Sequence, residues 1–149
     1  MLGKPIFIVT VSMLCAAVGG CATGPSISQT GAITQSVPKG KSQIVVYRTS
    51  LLAPAIQPVV LVDGQPKGTC VPNGAFNDFV TPGLHQLSAT TETTERTTIN
   101  APVDGTVYVK CSIWIGVFIG RPTWEEVPAS IGADEIRSLS FTGIVRQSP

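Results

Sequence analysis

Charged residues are scarce in this chain, and histidine is scarcer still. Lys and Arg together number 10, Asp and Glu number 9, and one histidine is present, which gives a net charge of +1. The longest uninterrupted run of like charge is a pair, at Glu125-Glu126 and at Asp134-Glu135. A nucleic-acid-binding protein needs a basic patch or stripe to neutralise phosphates. The composition therefore predicts no nucleic-acid partner and no site built from several imidazoles.

Motifs of the common enzyme classes are also missing. The chain has no G-x-S-x-G, H-E-x-x-H, Walker loop or G-x-G-x-x-G, the motifs that place nucleophiles, zinc ligands or phosphates. Glu125 and Glu126 are adjacent, and neighbouring side chains of a strand point to opposite faces, so they cannot act together as a glycosidase pair. The sequence predicts a protein that is not an enzyme and uses no metal or cofactor. A hydrolase that uses His85 is the alternative.

The N-terminal part of the chain has the composition of an export signal. Lys4 precedes an apolar run, residues 6–18, that is shorter than the roughly 20 residues of a transmembrane helix. The run fits the core of a signal peptide. The sequence Val18-Gly19-Gly20-Cys21 resembles the lipobox of bacterial lipoproteins, in which the cysteine is acylated and becomes the N-terminus. The resemblance implies a lipoprotein signal peptide over residues 1–20 and lipidation of Cys21.

Several consequences for location follow from this resemblance. Ala22 follows Cys21 in place of aspartate, which by similarity to the enteric sorting rule favours an outer-membrane lipoprotein that faces the periplasm. The inner membrane and the cell surface are alternatives, as are a signal peptide cut near Ala22 without lipidation, an uncleaved anchor and a buried N-terminal element. Residues 22–42 are rich in Gly, Ser, Thr and Pro, with no charge before Lys39, and this composition predicts a flexible tether.

Short β-type runs and turn sequences alternate after the tether. Asp63-Gly64 and Asp104-Gly105 are hairpin signals. The predicted strands are residues 44–48, 59–62, 67–71, 75–80, 85–91, 97–103 and 107–113. Six to seven short strands with frequent turns predict an all-β protein, an antiparallel β-sandwich over residues 43–140. A short helix is allowed over residues 130–139 with Ser130 as its N-cap, although Gly132 weakens it. Residues 141–149 are predicted to be a C-terminal tail.

Apolar residues alternate with polar ones in two of these runs. Period-two alternation is typical of a half-buried strand. One run predicts an inward face with His85, Leu87 and Ala89, and the other an inward face with Val107, Val109, Cys111 and Ile113.

Cys70 and Cys111 are predicted to form a disulfide. Cys15 leaves with the signal peptide and Cys21 carries the lipid, so Cys70 and Cys111 remain as an even pair in an oxidising compartment. Such a bridge would stabilise the fold by about 4 kcal/mol. Two buried free thiols are the alternative.

Pro82, Gly83 and His85 are predicted to form a structural turn. Pro82 fixes its φ, and Gly83 supplies the positive φ of a type II turn. His85 opens the next strand on its apolar face, where we expect the ring to hydrogen-bond a nearby backbone carbonyl. A metal ligand, or a base that activates Cys70 or Cys111, is the alternative.

The order of these motifs resembles a known family. Val62-Asp63-Gly64, Gly68, Val80-Thr81-Pro82-Gly83-Leu84-His85 and Val107-Tyr108-Val109 together resemble the bacterial lipoprotein family called domain of unknown function 2846, and more broadly the PEGA-type surface domains. The similarity covers about residues 42–139. It implies a β-sandwich in the cell envelope and carries no particular activity. The apolar stretch 113–119 departs from the family pattern.

Residues 113–124 contain both tryptophans of the chain, Trp114 and Trp124, with Phe118 between them. One interpretation is a strand and hairpin that complete the core. The other is an exposed aromatic loop that contacts a protein partner or the membrane interface.

The sequence as a whole predicts a lipid-anchored envelope lipoprotein whose β-sandwich is a binding or structural module. The alternatives are a subunit of a multi-protein envelope secretion or transport assembly, and an envelope hydrolase.

Overall fold

The computed structural model describes residue 22 and residues 24–33, 36–116 and 120–143. The predicted signal peptide, Cys21 and Phe118 lie outside these residues. The described helices are α1 (Ile27–Thr30) and α2 (Ala129–Glu135), which continues into a 3-10 helix, Ile136–Ser138. Within the described ranges, no helix has the length and apolar character that a membrane span requires. The described strands are β1 (Ser42–Arg48), β2 (Val59–Val62), β3 (Gln65–Thr69), β4 (Gly74–Val80), β5 (Gly83–Thr90), β6 (Thr94–Ala101), β7 (Thr106–Ile115), β8 (Gly120–Val127) and β9 (Ser140–Phe141).

These strands form two sheets packed on one another, which confirms the predicted all-β sandwich with a short C-terminal helix. One sheet has the order β3-β2-β5-β6 and is antiparallel throughout. The other has the order β8-β7-β1-β4-β9, in which β1 is parallel to β7 and β4 is parallel to β9. The second sheet is thus mixed, and its two parallel pairs are a departure from the predicted antiparallel arrangement. Before β7, the chain crosses to the other sheet to form β5 and β6. It then crosses back, and β7 runs beside β1 in the same direction.

The predicted alternation is confirmed in β5 and β7, whose inward side chains are buried. Leu87, Val107 and Val109 join side chains of β1, β2, β4 and β6 in the core between the sheets. The Cys70–Cys111 disulfide lies in the same core, with 6.3 Å between the two Cα atoms, and confirms the predicted pairing. It links the chain after β3 to the middle of β7, so it joins the two sheets covalently.

A second core covers the outer face of the five-stranded sheet. Every residue of β1 is buried, because one face of the strand packs in the core between the sheets and the other face packs in the second core. The second core receives side chains from both helical segments as well as from the sheet. It contains Ile27, Ile33, Val45, Tyr47, Ala75, Val127, Ile136 and Leu139.

The prediction of a flexible tether over residues 22–42 is wrong for residues 26–33. Ile27 and Ile33 are buried in the second core, and the Ile27 N–H donates to the Leu139 carbonyl oxygen at 2.8 Å. Ser26 also forms a β-bridge with Ser140. The local composition is polar because only two apolar side chains anchor this segment, and both contact residues that are distant in sequence. The folded domain therefore begins before residue 43.

Helix α2 occupies the first part of the predicted segment 130–139. Its N-cap is Pro128, so the prediction of Ser130 as the cap is wrong. Gly132 faces the Tyr108 side chain, and a Cβ added at Gly132 would lie 2.4 Å from the ring Cγ. Glycine at this position lets the helix lie against β7.

Candidate functional site

Two sequence motifs meet at one end of the four-stranded sheet. Asp63 and Gly64 have φ values of 49° and 78° and form the two-residue turn between β2 and β3. Gly83 opens β5 with a φ of 126°, so the predicted glycine does adopt positive φ. Because β2 pairs with β5, the turn brings the Asp63 carboxylate beside the His85 ring.

The Asp63 and His85 side chains form an ion pair. His85 Nδ1 lies 2.6 Å from Asp63 Oδ2, and His85 Nε2 lies 2.7 Å from the Thr81 carbonyl oxygen. The other carboxylate oxygen of Asp63 accepts a hydrogen bond from the Gln86 N–H at 2.9 Å. The contact with Thr81 is a backbone-carbonyl hydrogen bond of the kind that the sequence predicted for His85.

Both neighbours of the imidazole are hydrogen-bond acceptors, so the doubly protonated ring satisfies both of them. Burial lowers the pKa of His85, but the hydrogen bonds to Asp63 and Thr81 outweigh burial and raise that pKa above its ordinary value of 6.5. The hydrogen bonds from His85 and then from the Gln86 N–H lower the pKa of Asp63 below its ordinary 3.8. Each partner therefore favours the charged form of the other.

This geometry favours a structural role for His85. A base or a metal ligand needs an unshared electron pair on one ring nitrogen, whereas both nitrogens of His85 face acceptors. A cysteine nucleophile beside His85 is excluded here, because Cys70 and Cys111 are bonded to each other. No group of at least 3 His, Cys, Asp or Glu side chains that could hold a metal ion occurs among the described residues. The ion pair fastens the β2–β3 turn to the start of β5.

Trp114 lines an open groove of about 370 Å³ between the edge strands β6 and β8. Trp114 and Ile115, at the end of β7, are 62% and 50% exposed. Trp124 is half-buried and packs against the core between the sheets, while Ile113 is fully buried. The interpretation as a strand that completes the core holds for Ile113 and Trp124. Trp114 is exposed, and its contact with a partner or the membrane interface stays a prediction.

The described chain starts at the other end of the sandwich from His85. The Ala22 N–H donates to the Pro72 carbonyl oxygen at 2.9 Å, and Asn73 Nδ2 donates to the Ala22 carbonyl oxygen at 3.4 Å. Residues 72–73 precede β4, whereas Thr81, which binds His85, follows β4. We call these two ends the Ala22 end and the His85 end.

Arg48 organises the loop of residues 49–58, which joins β1 to β2 at the Ala22 end. Its side chain is fully buried and is the largest among the fully buried side chains. Leu51 and Leu52 of this loop are 61% and 55% exposed. The Arg48 guanidinium donates to the carbonyl oxygens of Ser50, Leu52, Ala53, Ile56 and Cys70.

The hydrogen-bond partners of Asp63 and of Arg48 were not predicted from the sequence. Asp63 was assigned to a turn but not to His85, because β2 and β5 are not consecutive strands and no local pattern pairs them. A strand was predicted to end at Arg48, but the burial of Arg48 was not predicted, and Leu51 and Leu52 were given no role. An arginine directly after an apolar strand and two leucines in an uncharged loop were the available signals.

Comparisons with known proteins give one similarity of low identity. An uncharacterized protein of Haemophilus influenzae is 26% identical over 139 residues, which cover 90% of this chain and 81% of that protein. No family model matches the chain, and no solved structure matches it. The similarity to the domain of unknown function 2846 family therefore stays a prediction.

Proposed function

We propose that this protein is a lipid-anchored lipoprotein of the bacterial cell envelope, and that its β-sandwich is a binding or structural module. The Cys70–Cys111 disulfide, in a domain that directly follows Val18-Gly19-Gly20-Cys21, carries the proposal. Disulfides persist in exported, oxidising compartments and are rare in the cytosol. The pairing also leaves Cys21 as the thiol nearest the domain that is free to take a lipid.

The membrane is the first partner that this proposal implies. Acyl chains bind a bilayer by burying methylenes, at about 0.8 kcal/mol each, and two or more chains give a durable anchor. Ala22 after the cysteine supports the outer membrane, with the sandwich in the periplasm. The engaged ring nitrogens of His85 support a binding or structural role over hydrolysis.

Intact mass spectrometry of the protein extracted from bacterial membranes tests the proposal. We expect the mass of residues 21–149 plus acyl chains, lighter before reduction by the two thiol hydrogens that the disulfide removes. A Cys21→Ser variant is the control and should carry no acyl mass. A wild-type mass without lipid, or one that retains residues 1–20, would contradict the proposal.

A further inference from the structure

We propose that the Ala22 end of the sandwich lies directly on the lipid surface that holds Cys21, with Leu51, Leu52, Trp114 and Ile115 in contact with lipid. This inference rests on the lipidation of Cys21 proposed above. It differs from the sequence-based expectation of a spacer, which would hold the domain clear of the head groups.

Little chain separates the proposed lipid on Cys21 from the domain. Ala22 is already hydrogen-bonded to Pro72 and Asn73 on the surface of the domain. Cys21 is the preceding residue, and neighbouring Cα atoms are about 3.8 Å apart. Acyl chains on Cys21 therefore start beside the Ala22 end and leave no room for a spacer.

The loop of residues 49–58 lies beside Ala22. Arg48, the last residue of β1, pairs with Gly74, the first residue of β4. The loop after Arg48 and the turn before Gly74 therefore lie next to each other. Ala22 and Leu51 line the same surface depression, so a membrane that receives the acyl chains also reaches this loop.

The end of β7 also lies at the Ala22 end of the molecule. β7 is parallel to β1 and extends beyond it, so Trp114 and Ile115 project from the end where β1 stops. Ile115 pairs with Gly120, and a Cβ added at Gly120 would lie 2.5 Å from Ile56 Cδ1. The β7–β8 hairpin thus contacts the loop that carries Leu51 and Leu52.

The chemistry of this end suits a bilayer interface. Residues 49–58 contain no charged side chain, and tryptophan prefers the interface because its indole is apolar with one polar N–H. Glu92 and Arg121 at the rim are exposed and can stay among the head groups. The His85 end also exposes Leu84 and Val103, but it carries charged residues such as Asp63 and Asp104 and lies far from Ala22.

The depth of Trp114 in a bilayer tests the inference. A Trp124→Phe variant leaves Trp114 as the sole tryptophan of the full-length protein, which is purified from membranes and checked for acylation by mass. It is reconstituted into phosphatidylethanolamine–phosphatidylglycerol vesicles with brominated acyl chains, which quench tryptophan only on contact. We expect strong quenching of Trp114. The Trp114→Phe variant, which retains the half-buried Trp124, is the control and should show little quenching.

Charge substitutions test the orientation separately. Leu51→Asp combined with Leu52→Asp should lower the quenching of Trp114 about twofold, because aspartate is disfavoured in lipid. The matched pair Leu84→Asp and Val103→Asp, exposed at the His85 end, should leave the quenching unchanged. Near-ultraviolet circular dichroism verifies that each variant is folded.

The outcomes separate this inference from the proposed function. An acylated, vesicle-bound protein whose Trp114 stays open to acrylamide and is not quenched by lipid overturns the orientation and leaves the lipoprotein proposal intact. Trp114 that is shielded from acrylamide in native membranes but not in vesicles indicates a protein partner and also overturns the inference. A protein without acyl chains overturns both proposals.

Discussion

Single polar side chains hold the two ends of this sandwich in place. At the His85 end, Asp63 joins the β2–β3 turn to the start of β5 through the only imidazole of the chain. At the Ala22 end, the Arg48 guanidinium holds the loop of residues 49–58 through hydrogen bonds to its backbone carbonyl oxygens. Both side chains act on loops, whose backbone groups are not paired by the sheets. Their contributions can therefore be measured separately from those of the apolar cores.

The Asp63–His85 ion pair predicts a pH-dependent stability. The raised pKa of His85 contributes stability that is full below pH 6.5 and is lost as the pH rises through the pKa of the folded state. The lowered pKa of Asp63 contributes stability that is present above pH 3.8 and is lost as the pH falls through its folded-state pKa. The pair therefore stabilises the fold most between these two values.

NMR titration measures this effect directly, because one histidine gives one imidazole signal. We expect the pKa of His85 to lie above 6.5 in the wild type and to fall in Asp63→Asn. Asp104→Asn, at another exposed turn, should leave it unchanged. Equal His85 pKa values in wild type and Asp63→Asn would show that the ion pair does not exist in solution.

Removal of the buried guanidinium should destabilise the protein strongly. Arg48→Ala leaves the buried Cys70 carbonyl oxygen and four partly buried loop carbonyl oxygens without this donor. Each buried unsatisfied group costs about 1–3 kcal/mol, so we expect a loss of about 3 kcal/mol or more. Urea denaturation at neutral pH measures the change. Arg96→Ala, at an exposed position of β6, should change the free energy of unfolding by only about 0.5 kcal/mol. Similar losses in the two variants would contradict the role of Arg48.

Helix α2 depends on polar contacts and on one close approach. The Tyr47 hydroxyl donates to the Glu135 carboxylate, and Lys110 Nζ lies 2.8 Å from Glu135 Oε1. The hydrogen bonds from Lys110 and then from Tyr47 lower the pKa of Glu135. Burial, and then the bond to Glu135, raise the pKa of Tyr47. This network fixes the end of α2 on β1 and β7, while Gly132 sets the distance between the helix and the sheet.

The sign of one substitution tests this packing. By helix propensity alone, Gly132→Ala should stabilise the protein by about 1 kcal/mol. Because a Cβ there would lie 2.4 Å from Tyr108 Cγ, we instead expect a loss of about 1–3 kcal/mol from overpacking. Thermal and urea unfolding give the sign, and Ser130→Ala on the exposed side of α2 is the control. A stabilised Gly132→Ala protein would show that α2 does not approach Tyr108 so closely.

The whole molecule has two cores that share the central strand β1. The inward side chains of the strands form the core between the sheets, and the disulfide lies in this core. The second core joins both ends of the described chain, because α1 and the 3-10 helix meet over the outer face of the same sheet. Residues 26–33 are therefore a structural part of the domain.

Truncation of one N-terminal side chain tests whether this segment packs in solution. Ile27 is fully buried, so Ile27→Ala should reduce the free energy of unfolding by about 2–4 kcal/mol. Ser28→Ala, at the exposed neighbouring position, should have little effect. Hydrogen exchange of the backbone amides in residues 27–31 gives an independent measure. An unchanged free energy of unfolding in Ile27→Ala would contradict the packing of this segment and support the predicted flexible tether.

Predictions that depended on residues close together in the sequence were more accurate than those that depended on residues far apart in it. β2 has the predicted bounds, residues 59–62, because a four-residue apolar run ends at a local Asp-Gly turn. β6 begins three residues before the predicted strand. Thr94, Glu95 and Arg96 are all polar, so this part of the strand shows no alternation of apolar and polar residues. The two-residue β9 was absent from the predictions, because it exists only through its pairing with β4.

By itself, the sequence determined the class of fold, the inward faces of β5 and β7 and the pairing of Cys70 with Cys111. The fold class and the inward faces depend on local period-two patterns and turns. The pairing depends on the two cysteines that remain once Cys15 and Cys21 are assigned to the signal peptide and the lipid. The tertiary structure decided the parallel pairing of β1 with β7, the burial of Arg48, the contact between Asp63 and His85 and the docking of residues 26–33. These features join residues that lie on separate strands or loops, so their energies arise only when distant parts of the chain are brought together.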